Sequence, residues 1–199
     1  MSTIKTNQLA HTANGATVFT LPQADGSANQ AIKTDGSGSL GFTSVGKILQ
    51  VVGATINTEA STTSTTMADT GLTASITPSA STSKILVLIQ MPYMFIRSSG
   101  SKSAGGFNVV RASTDIFRSY YHNGESEYHY PYFEYNNNIT SMTIRGMLNW
   151  SILDEPDTTS PTAYKVQFSR GMSTSVYINP YNNGSYRPFS SINLLEVGA

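Results

Sequence analysis

The chain has 199 residues, of which only 12% are charged and none is Cys, and its formal net charge is zero. An ordinary soluble domain is about 25% charged, so polarity here comes from hydroxyl and amide side chains: 27 Ser, 24 Thr and 14 Asn. A neutral chain without a run of Lys or Arg lacks the counterion release that drives nucleic-acid binding. The absence of Cys excludes a disulfide scaffold and thiolate metal sites.

The first 45 residues differ from the rest of the chain. They contain two Asp-Gly steps, at Asp25 and Asp35, with short apolar stretches between them. Asp-Gly steps favour the positive backbone φ of tight turns, so we expect short strands that turn about every ten residues. Such a segment buries too little apolar surface to fold alone. Residues 1–45 are therefore predicted to pack on copies of themselves, and residues 46–199 to form a separate domain.

Residues 46–199 contain eight or nine candidate strands and no stretch of helical periodicity. The segments 144–152 and 164–169 alternate between apolar and polar residues, which is typical of half-buried strands. Ser83 to Arg97 is apolar on both faces, which predicts a place in mid-sheet or at an interface. The other candidates are Lys47 to Asn57, Leu72 to Thr77, Phe107 to Arg111, Ile116 to Tyr121, Ser175 to Ile178 and Ser191 to Val197.

Many short strands without intervening helices predict an all-β fold, in the form of an antiparallel β-sandwich. We expect a jelly-roll-like topology rather than an immunoglobulin-like one, because the Cys–Trp–Cys framework of immunoglobulin domains is missing. The longest strongly apolar run, Ile85 to Ile89, is far shorter than the roughly 20 residues of a membrane-spanning helix. The N-terminus has no apolar core or cleavage site of a signal peptide. We expect no membrane insertion.

The segment from Tyr120 to Asn138 holds six of the eleven Tyr and two of the three His. Tyr offers a large amphipathic contact surface at low entropic cost, and Asn adds adaptable hydrogen bonds, a combination that suits sugars. The candidate receptor-binding residues are Tyr120, Tyr121, His122, Tyr128, His129, Tyr130 and Tyr132. The alternative is a simple hairpin that turns at Asn123-Gly124. Residues 177–189 have a similar composition and are a weaker candidate for the same surface.

Two further patterns favour ordinary structural roles over chemistry. His122, Glu125, Glu127 and His129 match no strict metal-binding spacing, and strand alternation predicts His122 on the opposite face from the other three. Asp154, Glu155 and Asp157 include carboxylates of the kind that a glycosidase needs, but Pro156 among them is typical of a turn. We therefore predict no catalytic residues, no metal site and no cofactor.

Residues 21–42 (LPQADGSANQAIKTDGSGSLGF) closely resemble a recurrent element in tail fibres of tailed bacteriophages, especially marine and cyanobacterial phages. The opening residues 2–9 (STIKTNQL) also resemble the start of such fibres. Residues 71–89, 151–169 and 192–199 resemble a C-terminal β domain found on the same proteins. Many of these fibres are several times longer, whereas this chain passes directly from the linker to one β domain.

The resemblance implies a non-enzymatic virion protein of the phage tail, usually a homotrimer. Its residues 1–45 would attach to tail or baseplate proteins, and its distal domain would bind a host-surface glycan or other receptor. The Tyr-rich segment matches no family motif. Two alternatives remain open from the sequence. One is a purely structural collar, connector or decoration protein whose Tyr-rich segment is a subunit interface, and the other is a depolymerase.

Overall fold

The structure, a computed structural model, describes residues 7–10, 18–27, 30–44, 47–97, 102–123, 126–129, 131–134, 141–172, 174–181 and 188–198. Within these ranges the chain forms strands, turns and loops, and no helix long and apolar enough to cross a membrane occurs. The prediction of an all-β fold is confirmed. The chain divides into two compact units, residues 1–47 and 48–199.

The described residues of the first unit include two short pairs of antiparallel strands. Strands β1 (Gln8–Ala10) and β2 (Val18–Thr20) pair antiparallel, and so do β3 (Gln30–Thr34) and β4 (Leu40–Ser44). None of the residues whose burial is described in this unit is buried. Strands β2 and β3 are exposed throughout. The described part of this unit therefore has no core of its own.

The turn between β3 and β4 is held by the carboxylate of Asp35. Its Oδ1 accepts the backbone N–H groups of Ser37 at 2.8 Å and Ser39 at 3.0 Å. These N–H groups lower the pKa of Asp35 below its usual value. Gly36 and Gly38 have φ of 82° and 94°, which residues with a Cβ rarely adopt. The TDGSG sequence thus specifies the turn.

Gly26 and Phe42, two other positions of the fibre-like sequence element, lie against each other. A Cβ on Gly26 would lie 2.6 Å from the Phe42 ring, which is closer than packed atoms approach. The absence of a side chain at Gly26 therefore leaves space for the Phe42 ring. The spacing between these two residues in the sequence element thus has a steric basis.

The described residues of the second unit form thirteen strands. In chain order they are β5 (Ile48–Ile56), β6 (Ala60–Thr62), β7 (Ala68–Ile76), β8 (Lys84–Arg97), β9 (Lys102–Arg111), β10 (Thr114–Arg118), β11 (Tyr120–Asn123), β12 (Ser126–His129), β13 (Tyr132–Glu134), β14 (Met142–Asp154), β15 (Thr162–Arg170), β16 (Thr174–Ile178) and β17 (Ser190–Val197).

The long strands form two antiparallel sheets. The first sheet has the order β5-β17-β8-β14, with β16 and β6 continuing beside the far half of β8, and the second has the order β7-β15-β9-β10. If the eight strands of these two orders, without β16 and β6, are numbered along the chain, the orders read 1-8-3-6 and 2-7-4-5. This is the arrangement of a double-sheet jelly roll. The predicted sandwich and its jelly-roll-like topology are confirmed.

The core lies between the two sheets. Alternate residues of β8 point inward, and Ile85, Val87, Ile89 and Met91 are at most 1% exposed. They meet inward residues of the second sheet such as Val109 on β9, in one continuous cluster. Each such aliphatic side chain contributes about 1.5–3 kcal/mol on burial. The core accounts for the periodicity seen in the sequence.

Pro92 marks the point where β8 changes partners. Strand β17 pairs with β8 up to Gln90, and β16 pairs with it from Tyr93 onward. The carbonyl of Pro92 accepts the backbone N–H of Asn179 at 3.1 Å. The N and O of a strand residue point to the same side, so the missing N–H of Pro92 faces this gap. A proline inside a central strand is tolerated there because no ladder bond is lost.

Asn179 joins three chain segments at this gap. Its backbone has a φ of 47°, and the residue is 2% exposed. The Nδ2 group donates to the carbonyls of Ile56 and Thr58, both at 3.1 Å. The Oδ1 atom accepts the hydroxyl of Ser190 at 2.7 Å. One side chain thus connects the end of β5 to the start of β17.

Glu196 is a fully buried carboxylate on β17. Ser79 donates its backbone N–H at 2.7 Å and its hydroxyl at 2.6 Å to Oε1, and Gln50 donates Nε2 to Oε2 at 2.6 Å. Burial alone raises the pKa of Glu196, but the hydrogen bonds from Ser79 and Gln50 outweigh it. The pKa falls from 4.5 to about 2.

We expect Glu196→Gln to change how stability depends on pH. The folded-state pKa is depressed, so the carboxylate stabilises the fold above about pH 4.5 and loses this contribution as the pH falls toward about 2. The variant should lose on the order of 2 kcal/mol at pH 7 and differ less from wild type near pH 2. Urea denaturation across this range measures both. Glu155→Gln, at an exposed position, is the control, and parallel stability curves for E196Q and wild type would contradict the prediction.

Candidate functional site

Five of the seven predicted receptor-binding residues lie in one two-stranded hairpin. Strands β11 and β12 pair antiparallel, with Tyr120 opposite His129, Tyr121 opposite Tyr128 and His122 near the turn opposite Glu127. The hairpin of the alternative interpretation is therefore present, but Asn123 pairs with Ser126, so the strands are joined by residues 124–125 rather than by Asn123-Gly124. Residues 124–125 lie outside the described residues. The structure describes the backbone of these five residues and not their side chains.

The other two candidates follow the hairpin in the chain. Tyr132 lies in β13, where its Cα pairs with that of Ala104 on β9, and again only its backbone is described. Tyr130 lies outside the described residues. The structure thus brings six of the seven candidates into three short strands, and leaves the contacts of their side chains as predictions.

Ser119 separates the hairpin from the second sheet. The sequence predicts one strand from Ile116 to Tyr121, and this is wrong: β10 ends at Arg118 and β11 begins at Tyr120. Ser119 donates its backbone N–H to the Phe107 carbonyl at 2.8 Å, and its hydroxyl accepts the Phe107 N–H at 2.9 Å. This two-way contact is buried. It attaches the near end of the hairpin to β9.

Strand β13 attaches the far end of the hairpin to the same strand. The Gly105 N–H on β9 donates to the Pro131 carbonyl at 3.4 Å. The Phe133 ring packs edge-on against Phe95, with ring centroids 6.2 Å apart. Gly105 leaves room for Phe95, since a Cβ there would lie 2.8 Å from its ring. The hairpin is therefore bounded on both sides by segments packed on β9.

Aromatic rings form a rigid base under this edge of the domain. Phe117 packs on Trp150 at 4.8 Å between centroids, and Trp150 contacts Phe107 at 6.2 Å. Tyr93 extends the cluster to Phe95, with the two ring centroids 5.0 Å apart. Each such pair adds about 0.5–1.5 kcal/mol beyond area burial. Burial also raises the pKa of the Tyr93 hydroxyl.

The His and Glu residues of the hairpin do not follow the expected division into two faces. The register places His122 directly opposite Glu127, so the expectation that strand alternation separates them is wrong, because the segment folds back on itself. Among the residues that the structure describes, no group of three or more His, Asp or Glu gathers as metal ligands do.

The acidic residues at 154–157 have separate structural environments. Arg111 Nη1 donates to both oxygens of Asp154, at 3.0 and 2.9 Å, and the Tyr164 hydroxyl donates to Oδ2 at 2.7 Å. Burial, together with the Asp154 carboxylate, raises the pKa of Tyr164. Glu155 is exposed, and Asp157 has a φ of 50°. The arrangement supports the interpretation of this segment as a turn.

The sequence did not indicate a groove on the outer surface of the first sheet. It has a volume of about 390 Å³, and Gln90, Asn149, Ser151 and Asn193 contribute polar groups to its lining. Gly53 makes space for the Asn193 side chain, because a Cβ there would lie 2.7 Å from Asn193 Oδ1. The four polar lining residues come from β8, β14 and β17, three strands that are distant in sequence. Only the strand register, which the sequence does not reveal, brings them together.

Comparison with known proteins finds no family model that matches the chain, and no curated protein that matches it.

Proposed function

We propose that the protein is a structural protein of a phage virion, of the tail-fibre type, and that its jelly-roll domain attaches the particle to a glycan on the host surface. The observation that carries the proposal is the hairpin of β11 and β12, which concentrates Tyr and His on a loop bounded by anchored segments. Loops held by rigid scaffolds commonly carry binding functions. Jelly rolls also occur in viral capsid and lectin domains, a likeness at the level of fold alone.

The chemistry of the segment suits an uncharged or weakly charged sugar. Tyr rings stack on the apolar faces of pyranose rings, while His, Asn and Glu exchange hydrogen bonds with sugar hydroxyls. The chain has no net charge, so long-range attraction contributes little to binding. Adhesion by stacking and hydrogen bonding is also insensitive to salt, which screens charge–charge attraction.

In this proposal the N-terminal residues 1–45 attach the fibre to tail or baseplate proteins and intertwine in a homotrimer. A coreless segment gains a core by packing against its copies. Three linked binding domains also raise the effective concentration of each site, which increases avidity by about 10²–10⁴ without new contacts. Weak single-site binding to a glycan is then sufficient for attachment.

The test uses the full-length protein and a set of immobilised bacterial surface polysaccharides, with binding measured by biolayer interferometry. We expect wild type to bind at least one polysaccharide, and Tyr121→Ser with Tyr128→Ser, an opposed pair on the hairpin, to weaken that binding at least 100-fold. The control combines Thr63→Ala, Thr65→Ala and Thr159→Ala at exposed positions and should bind as wild type does.

Three results would overturn the proposal. The first is unchanged binding by the Y121S/Y128S variant. The second is shortening of the polysaccharide chains during incubation, which would indicate a depolymerase. The third is failure of the wild type to bind any polysaccharide while the hairpin tyrosines are protected from labelling in the assembled particle, which would indicate a subunit interface and a purely structural role.

A further inference from the structure

A row of apolar side chains crosses the outer surface of the first sheet. The register places Leu195 opposite both Val51 and Leu86, and Leu86 opposite Leu153, so the row spans all four strands. Val51 is 60% exposed and Leu153 is 56% exposed. The row lies on the outer surface because its neighbours along each strand pack in the core: Val52, Ile85, Val87, Ile152 and Leu194.

The apolar surface extends beyond the row. At the start of β5, Ile48 and Leu49 are 46% and 38% exposed. Single exposed apolar residues are common, but a contiguous group on one sheet surface usually marks an interaction site. This surface is also the reason that β8 is apolar on both faces. One face lies in the core and the other on the outside of the sheet.

The surface carries no charge over its central part. Its flanking polar residues include the amides Gln90, Asn149 and Asn193, which make no side-chain hydrogen bond with any other residue that the structure describes. The charged residues Lys84 and Glu155, at one end of the sheet, pair with each other. A neutral apolar surface packs against a neighbouring copy without like-charge repulsion, and the amides can bond across such a contact.

The extent of the surface is also adequate for stable association. Four strands about 4.8 Å apart, each about nine residues long at about 3.3 Å per residue, give a projected area of roughly 500–600 Å². Side-chain relief increases the accessible area above this projection. One partner in a standard protein–protein interface contributes about 800 Å². The sheet surface is of that order.

The first unit favours another copy of the chain as the partner. Its apolar Val18, Phe19 and Ile32 are 44%, 36% and 60% exposed, and none of its residues with described burial is buried. This unit ends at Lys47 and the second begins at Ile48, next to the apolar surface in the chain. Both units thus present exposed apolar side chains, and association of identical chains covers such side chains.

We propose that the outer surface of the first sheet is a self-association surface that binds another copy of this chain through the row formed by Val51, Leu86, Leu153 and Leu195. The glycan-binding hairpin is a separate feature, on the edge of the second sheet. Self-association through this surface therefore goes beyond the attachment role and can succeed or fail independently of it.

Light scattering after size exclusion tests the surface with the full-length chain. We expect wild type to have a mass of three chains, following the homotrimer implied by the sequence resemblance, and Val51→Glu with Leu153→Glu to shift the association constant at least tenfold toward monomer. Thr77→Glu with Ala163→Glu adds the same charge at exposed positions near the second sheet and should leave the mass unchanged. Wild-type mass in the V51E/L153E variant would overturn the proposal.

A wild-type chain that is monomeric at all concentrations also overturns it. If the polysaccharide binding of that monomer is lost in V51E/L153E, the surface is assigned to a glycan. The Y121S/Y128S variant tests the attachment role separately. We expect it to lose polysaccharide binding while its mass stays that of wild type.

A cross-linking experiment avoids any folding defect caused by buried charge. The chain has no Cys, so Val51→Cys with Leu153→Cys introduces the only thiols. These residues lie three strand spacings apart, about 14 Å, so a thiol cross-linker of about 8 Å cannot join them within one chain. We expect covalent oligomers from this pair and few from Ser75→Cys with Thr114→Cys, two exposed positions that also lie three strand spacings apart, on the second sheet. Equal yields from the two pairs would contradict the proposed surface.

Discussion

Replacing Asp154 by Ala is expected to lower the free energy of unfolding of the second unit by about 3–5 kcal/mol. The carboxylate is 8% exposed and accepts two contacts from Arg111 and one from Tyr164. Its removal leaves the Arg111 guanidinium partly buried without its anionic partner, and the buried Tyr164 hydroxyl without an acceptor. An unpaired group in such a place costs more than the pair itself contributes. Chemical denaturation monitored by Trp150 fluorescence measures the change.

Neighbouring variants separate this effect from a general sensitivity of the segment. Glu155→Ala, one residue along and exposed, should change the stability little because its ion pair with Lys84 is at the surface. Tyr164→Phe should cost about 1 kcal/mol, since the ring still fills its place and one hydrogen bond is lost. Equal losses for D154A and E155A would show that the buried ion pair has no special role.

Asn179→Ala is expected to cost about 3–4 kcal/mol. The change removes two donors from the carbonyls of Ile56 and Thr58 and the acceptor for the Ser190 hydroxyl. It also leaves a residue with a Cβ, but without the local hydrogen bonds of Asn, at a φ of 47°. Since a whole domain is stable by only about 5–15 kcal/mol, this loss is a large fraction. Thermal denaturation followed by far-ultraviolet circular dichroism measures it.

Two comparisons identify the origin of that loss. Asn179→Gly relieves the backbone strain and retains only the loss of hydrogen bonds, so it should be less destabilising than N179A by about 1 kcal/mol. Asn57→Ala changes an exposed Asn near the end of β5 and should be nearly neutral. If N179A were as mild as N57A, the connection between β5 and β17 would have to depend on the strand pairing alone.

Strands with one face in the core were predictable from the sequence. Alternation predicts β14 and β15 to within two residues at each end, because every second side chain enters the core. Strand β7 begins four residues earlier than predicted because Gly71, with a φ of 87°, lies within the strand rather than ending it. The first half of β9 was not predicted because Gly105 resembles a loop residue, whereas it is needed for the approach of Phe95.

The candidate site was predictable only in part, because its position depends on contacts between distant residues. The composition of residues 120–138 and the Asn123-Gly124 step indicate a Tyr-rich hairpin. The break at Ser119 depends on its contact with Phe107, which a local pattern does not contain. The apolar row likewise joins residues from 51 to 195, and only the pairing of four strands reveals it.

The pairing of the first and last long strands of the jelly roll affects how the chain folds during synthesis. Strand β5 pairs with β17, whose residues leave the ribosome about 140 positions later. At about 5–20 residues per second, this interval lasts roughly 7–28 s. Until then β5 has an unpaired edge and exposed apolar side chains, features that promote aggregation. We therefore expect nascent chains that stop before residue 190 to be aggregation-prone and to require chaperones for solubility.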